Sequence, residues 1–216
     1  MSTAALSGPG VVYRRNDPSR IVSRMTQEEY FAFERNVAEK HEFVGGEVIR
    51  MAGASPEHNL ISANLLRTIG NSLEAVNADC DAYGSDQRIY ISETMQFYPD
   101  ISVVCSDAQF DHSDSLRNPL LIAEVLSPST AAFDLGEKFA KYRTLAALRH
   151  YLLVEQTHVS VTHYEKISGN VWAIVGDYTS LLDMGTFLLG ETQITLPLSA
   201  IYRRVEFTNG NDAKQS

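Results

Sequence analysis

Two acidic residues stand in stretches that are otherwise apolar. Asp100 opens the run Asp100-Ile101-Ser102-Val103-Val104-Cys105 after Tyr98-Pro99, and Glu124 lies inside Leu120-Leu121-Ile122-Ala123-Glu124-Val125-Leu126. An ionised carboxylate is expensive to bury in such a strand unless a partner or a metal compensates it. Two of them meeting on neighbouring strands would make a hard-cation site. Mg²⁺ takes oxygen ligands and commonly uses one or two protein carboxylates beside a substrate phosphate. The main-chain carbonyl of Val125 offers a third oxygen, so Asp100, Glu124 and Val125 are the candidate ligands for Mg²⁺ or Mn²⁺. Such a cation would polarise a phosphoryl oxygen and acidify water. A nearby lysine would stabilise the charge building on the phosphorane. Lys138 and Lys141 follow on the next helical segment, three residues apart and on roughly one face.

Each of these residues also has a structural reading. Asp is common beside Pro in turns, Glu124 can form a salt bridge with Arg88 or Lys138, and Lys138 can pair with Asp134 at i,i+4 spacing. Glu42 is either a third carboxylate of the site or an exposed strand position. His58, near a helix start, is either a capping or surface residue or a contact to phosphate. Asp86 and Arg88 read as a cross-strand ion pair, and Ser127 and Ser129 as turn and capping residues. No Gly-x-Ser-x-Gly elbow and no Gly-x-x-x-x-Gly-Lys phosphate loop is present.

The elements that position these residues follow from the apolar spacing. Thr26 with Glu29 is a capping-box pattern that opens a helix over about 27–40. Residues 41–44 and 47–51 flank Gly45-Gly46 as a tight hairpin, since paired glycines tolerate positive φ at both turn positions. Pro56 opens a long helix to about Ala78, its stripe formed by Leu60, Ile61, Leu65, Leu66, Ile69, Leu73 and Val76. Strands are expected over 82–91, 100–105 and 119–126, then a helix over 135–148, then a strand over 151–155. Antiparallel strands over 159–164, 171–176 and 193–196 follow, with turns at Gly169-Asn170 and Gly190. Helix, three strands, helix, strand is the order of a mixed sheet flanked by helices, so the fold class is α/β with a mixed α+β sheet. Residues 1–24 are expected to be a flexible arm, 25–205 a single domain and 206–216 a disordered tail.

The chain has 216 residues, 44% hydrophobic and 21% charged, enough for one domain with a real core. No apolar run reaches membrane-spanning length, and the first residues lack the layout of a signal peptide. Cys80 and Cys105 read as reduced thiols, which points to the cytoplasm. A net charge of −9 argues against gripping nucleic acid by bulk positive charge. It leaves room for an acidic cleft neutralised by its own cations.

Taken in order, several segments resemble the Uma-type putative restriction endonuclease family, long catalogued as a bacterial domain of unknown function within the PD-(D/E)XK nuclease superfamily. The matching segments are Glu42-Phe43-Val44-Gly45-Gly46-Glu47-Val48, Ser55-Pro56-Glu57-His58, Gly84-Ser85-Asp86-Gln87-Arg88 and Tyr98-Pro99-Asp100. Glu124-Val125-Leu126-Ser127-Pro128-Ser129-Thr130 and Asp134-Leu135-Gly136-Glu137-Lys138 with Tyr142 complete the set. The resemblance implies a restriction-endonuclease-like core, Mg²⁺ or Mn²⁺ held by Asp100 and Glu124, and phosphodiester hydrolysis in DNA. It also shows two departures. The superfamily's lysine position, two beyond Glu124, holds Leu126, so Lys138 must reach in from the helix. The later strand reads Tyr151-Leu152-Leu153-Val154-Glu155 where the family usually carries Tyr-Trp and ends in Asp. The alternatives are a non-catalytic module binding nucleic acid or protein, and a phosphoesterase acting on something other than DNA. A homodimer is expected by analogy with folds of this kind.

Overall fold

The computed structural model describes residues 21–207 except 112, 113 and 129. The first half runs β1 (Ile21–Arg24), α1 (Gln27–Glu34), β2 (His41–Val44), β3 (Glu47–Arg50), α2 (Pro56–Ala75), β4 (Cys80–Tyr83), β5 (Ile89–Ser92), β6 (Met95–Phe97) and β7 (Ile101–Cys105). After β8 (Leu121–Leu126) come α3 (Ala131–Phe133), a π-helical turn (Asp134–Lys138), α4 (Phe139–Tyr142) and β9 (His150–Glu155). The chain closes with β10 (Val161–Ser168), β11 (Val171–Tyr178), β12 (Met184–Leu189), β13 (Thr192–Pro197) and α5 (Leu198–Ile201).

Among the described residues the strands form three sheets. The central one has the order β11-β10-β9-β8-β7-β4, antiparallel except for the β8–β9 pair, which is parallel and joined by the α3–α4 crossover. The second is the antiparallel sheet β1-β3-β2-β6-β5, and the third is the hairpin β12-β13. The fold is mixed α/β, as the sequence pattern predicts.

Strand alternation divides the central sheet into two faces. Ala123, Val125, Leu152 and Val154 pack under Ile61, Leu65, Ile69 and Leu73 of α2, with Phe187 and Ile194 of the hairpin closing the same core. Ile122, Leu126, Tyr151 and Leu153 face the other way, against Phe139, Tyr142 and Leu145. Glu124 has the register of this second face.

Several boundaries differ from the sequence pattern for local reasons. The capping box forms at Thr26 and Glu29, but α1 ends at Glu34, where the Asn36 side chain donates to the Ala32 carbonyl at 2.6 Å and closes the last turn. The single strand expected over 82–91 is two strands in different sheets, separated by the turn in which Gln87 N–H donates to Gly84 O. The helix expected over 135–148 is a broken crossover whose middle is the π-helical turn. Residues 21–24, expected within the arm, pair with β3 as an antiparallel strand. Residues 1–20 and 208–216, the remainder of the expected arm and most of the tail, lie outside the described residues, while Phe207 packs on Tyr202. The two cysteines are not free. The β4–β7 register sets Cys80 directly opposite Cys105, and they form a disulfide, which withdraws the inference of a reducing compartment. Among the described residues no helix is long and apolar enough to cross a membrane.

Candidate active site

The site forms where the two larger sheets and the crossover meet. Strand β8 carries Glu124 on the crossover side, buried to 3% exposure. Asp100 stands one residue before β7, and its Oδ2 accepts from Val125 N–H at 2.7 Å. Its Oδ1 lies 3.0 Å from Nε2 of His58, in the first turn of α2. That turn is fixed by Ser55, whose hydroxyl oxygen accepts from His58 N–H. Backbone N–H of Asp100 reaches Glu124 Oε2 at 3.4 Å, so the two carboxylates occupy one corner of the sheet.

Lys138 enters from the π-helical turn. A widened turn of this kind rotates the following residues relative to a regular helix, and such turns are frequent at functional positions. Its ammonium lies 2.8 Å from Glu124 Oε1, 3.3 Å from Glu42 Oε1 and 3.8 Å from Asp134 Oδ1. It also donates to the Tyr98 carbonyl at 3.4 Å. Glu42 comes from β2, beside the Gly45-Gly46 turn, where both glycines have positive φ. Tyr142 O–H donates to Glu124 Oε1 at 3.2 Å.

The structure therefore brings Glu42, His58, Asp100, Glu124 and Lys138 together, and Glu124 and Lys138 form the salt bridge of the structural reading. Val125 joins through its N–H; its side chain points into the α2 core. Arg88 stays apart, bonded to Tyr98 O–H and Ser115, and Asp86 pairs with Lys40 rather than with Arg88. Ser127 Oγ meets Thr130 Oγ1 at 2.9 Å at the start of the crossover. Sequence reasoning missed Asp134 and Tyr142 as members. Both stood in the quoted motif, but only the π-helical turn aims them at Glu124.

The cluster is electrostatically unbalanced. Glu42, Glu124 and Asp134 set three carboxylates around the ammonium of Lys138, the one ammonium in the cluster among the described residues, and Asp100 stands beside Glu124, held by His58 and Val125 N–H. Burial pushes the Glu124 carboxyl well up; Lys138 opposes this, while Asp134 and Asp100 add to it. Burial also raises Asp134, to about 6, against the pull of Lys138. Burial disfavours the Lys138 ammonium, but Glu124, Glu42 and Asp134 outweigh it, and Lys138 stays charged. Three carboxylates sharing one ammonium leave the cluster oxygen-rich and short of positive charge, a donor set that fits a hard divalent cation.

The Uma2 family, described as "Putative restriction endonuclease", matches residues 27–199. The chain belongs to the Uma2 family. Two relatives from Synechocystis sp. carry the names "Uncharacterized protein sll1609" and "Uncharacterized protein slr1290". The first is 41% identical over 153 residues, covering 69% of this chain and 85% of the relative. The second is 33% identical over 193 residues, covering 89% and 98%. The crystal structure of "a putative nuclease belonging to DUF820" from Anabaena variabilis superposes with a TM-score of 0.62, covering 82% of this chain and 97% of that one. At 14% identity this is a likeness of fold. It matches the restriction-endonuclease-like core expected of a Uma2 member.

Proposed function

We propose that this chain is a divalent-metal-dependent endonuclease that hydrolyses phosphodiester bonds in DNA. The observation that carries the reading is that three carboxylates, Glu42, Glu124 and Asp134, share the one Lys138 ammonium while Asp100 stands beside Glu124. Asp100, Glu124 and the Val125 carbonyl would hold Mg²⁺ or Mn²⁺. When bound, that cation supplies Lewis acidity at the phosphoryl oxygen and lowers the pKa of the nucleophilic water.

The side chains supply position and charge. Glu42 and Asp134 share the ammonium with Glu124, so Lys138 can turn toward a phosphate oxygen without losing every partner. There it stabilises negative charge as the phosphorane forms. His58 and Val125 N–H fix the two oxygens of Asp100 and act as positioning groups. Lys138 thus does the work of the lysine expected two residues beyond Glu124, where Leu126 is buried in the core.

The test is nicking of supercoiled plasmid with Mg²⁺ or Mn²⁺. Relaxed circles are expected with either metal and none with a chelator. Asp100→Ala and Glu124→Ala should abolish nicking, and Lys138→Ala should slow it by about 10²–10³-fold, the loss typical of one transition-state charge donor. Wild-type protein that leaves the plasmid intact under both metals overturns the nuclease. DNA retention without cleavage would instead identify a binding module.

A further inference from the structure

A second group of metal-binding side chains lies on the α2 face of the central sheet, away from Glu124. His150 begins β9 and is paired directly across from Glu165 on β10. His163 precedes Glu165 by two residues, so all three side chains leave the same face. Both imidazoles are 2% exposed, and the ring of Phe187 from the β12–β13 hairpin packs 4.6 Å from His163.

The ligand atoms of His150, His163 and Glu165 lie within 4.8 Å of one another. His150 Nε2 is 2.9 Å from the Leu188 carbonyl. A carbonyl only accepts, so that nitrogen carries the proton and Nδ1 presents its lone pair. Nδ1 faces His163 Nε2 at 3.0 Å. Two cis nitrogen ligands at ordinary zinc distances are about 3.0–3.4 Å apart. The spacing is that of two ligands, although the N–H···N bond aims the nitrogens at each other and the rings must tilt to share an ion; an imidazole whose other N–H is anchored to a carbonyl is how metal-binding histidines are commonly held.

We propose that His150 Nδ1, His163 Nε2 and a Glu165 carboxylate oxygen form a second metal site, for a borderline divalent ion of the Zn²⁺ class. Two imidazoles with one carboxylate favour Zn²⁺, Co²⁺ or Ni²⁺ over Mg²⁺ or Ca²⁺. On binding, His163 moves its proton from Nε2 to Nδ1 and stays neutral, so the ion replaces one N–H···N bond. The ion would tie β9 and β10 together beneath the β12–β13 hairpin.

Zn²⁺ titration of Asp100→Asn by calorimetry tests this with the carboxylate site weakened. One equivalent is expected to bind and to raise Tm. Adding Glu165→Gln should weaken binding at least about tenfold and remove the Tm rise. A second measurement needs no variant of the buried rings. With ¹⁵N-labelled histidine in the wild-type chain, two of the six histidines should shift their ring signals in Zn²⁺ and not in Mg²⁺. No Zn²⁺ bound by Asp100→Asn, or affinity unchanged by Glu165→Gln, overturns the site. The plasmid assay reads the other face and leaves this result untouched.

Discussion

On one face of the central sheet, Glu124, Glu42 and Asp134 share a single ammonium; on the other, His150 and His163 share a single N–H. Glu124, Asp134, His150 and His163 are all buried, and Glu124 and His150 sit on the parallel pair β8–β9. They meet the cost of burial differently. The histidines stay neutral, and their pair is closed by the Leu188 carbonyl. The carboxylates remain short of positive charge even with Lys138 in their midst. Donor geometry therefore does not predict cation demand; charge balance does. The first cluster calls for a hard cation, whereas the second can exchange a hydrogen bond for a softer one.

Removing Lys138 should have the largest effect. Lys138→Met strips the cluster of the ammonium that Glu42, Glu124 and Asp134 share, and breaking a buried pair from one side typically costs about 3–5 kcal/mol. Urea unfolding without metal at pH 7 should show this loss, and Mn²⁺ should restore part of it. Replacing His163 by Asn on the other face removes one neutral hydrogen bond and should cost only about 1–3 kcal/mol. Equal losses from the two substitutions would mean that the carboxylates are not under electrostatic strain, and the contrast would fail.

The two clusters should also give opposite pH signatures in metal-free protein. Asp134 is raised from 3.8 to about 6 by burial, so the folded state holds its proton longer than the unfolded chain does. Its contribution to stability is full below the unfolded value and is lost as pH rises through about 6, on the order of 3 kcal/mol. His163 is lowered from 6.5 to about 3, so the unfolded chain binds that proton first. Its contribution is full above 6.5 and is lost as pH falls toward 3. Thermal melts at pH 7 and pH 5 should separate them. Asp134→Asn should lose more stability on acidification than wild type, and His163→Asn should lose less. Shifts of the same sign in both variants would contradict the contrast.

The sequence exposed these clusters unequally. Asp100 and Glu124 were legible because a charge in an apolar run is costly and local, and Glu42, His58 and Lys138 entered through spacing and motif. Asp134 and Tyr142 were not, because their orientation depends on a π-helical turn that a 3.6-residue period does not encode. The histidine group was hidden for another reason. Glu165 faces His150 only through the β9–β10 register, and nothing local to either strand states that register. The disulfide was missed in the same way, since Cys80 and Cys105 meet only through the β4–β7 pairing. Long apolar elements such as α2 and β8 were read nearly to their ends. Strand β6 was not read because three residues carry too little periodicity, and β12 because its exposed Met184 and Leu188 are as apolar as its buried Phe187 and Leu189.

Tyr142→Phe should give the smallest change and the finest test of the carboxylate face. The phenol is buried and donates to Glu124 Oε1 at 3.2 Å, the same oxygen that Lys138 pairs with. Burial first, and then the Glu124 charge, push this phenol well above its usual range, so it remains a donor at any working pH. Losing the hydroxyl removes one hydrogen bond to a charged acceptor and should cost about 1–2 kcal/mol in metal-free protein. If Glu124 is a metal ligand, the same O–H orients it, and its loss should weaken Mn²⁺ binding by about tenfold. Zn²⁺ binding on the opposite face should not change. A Tyr142→Phe protein that loses stability but keeps its full Mn²⁺ affinity would leave Glu124 as a partner of Lys138 alone, and the cation would then have to be held by Asp100 without it.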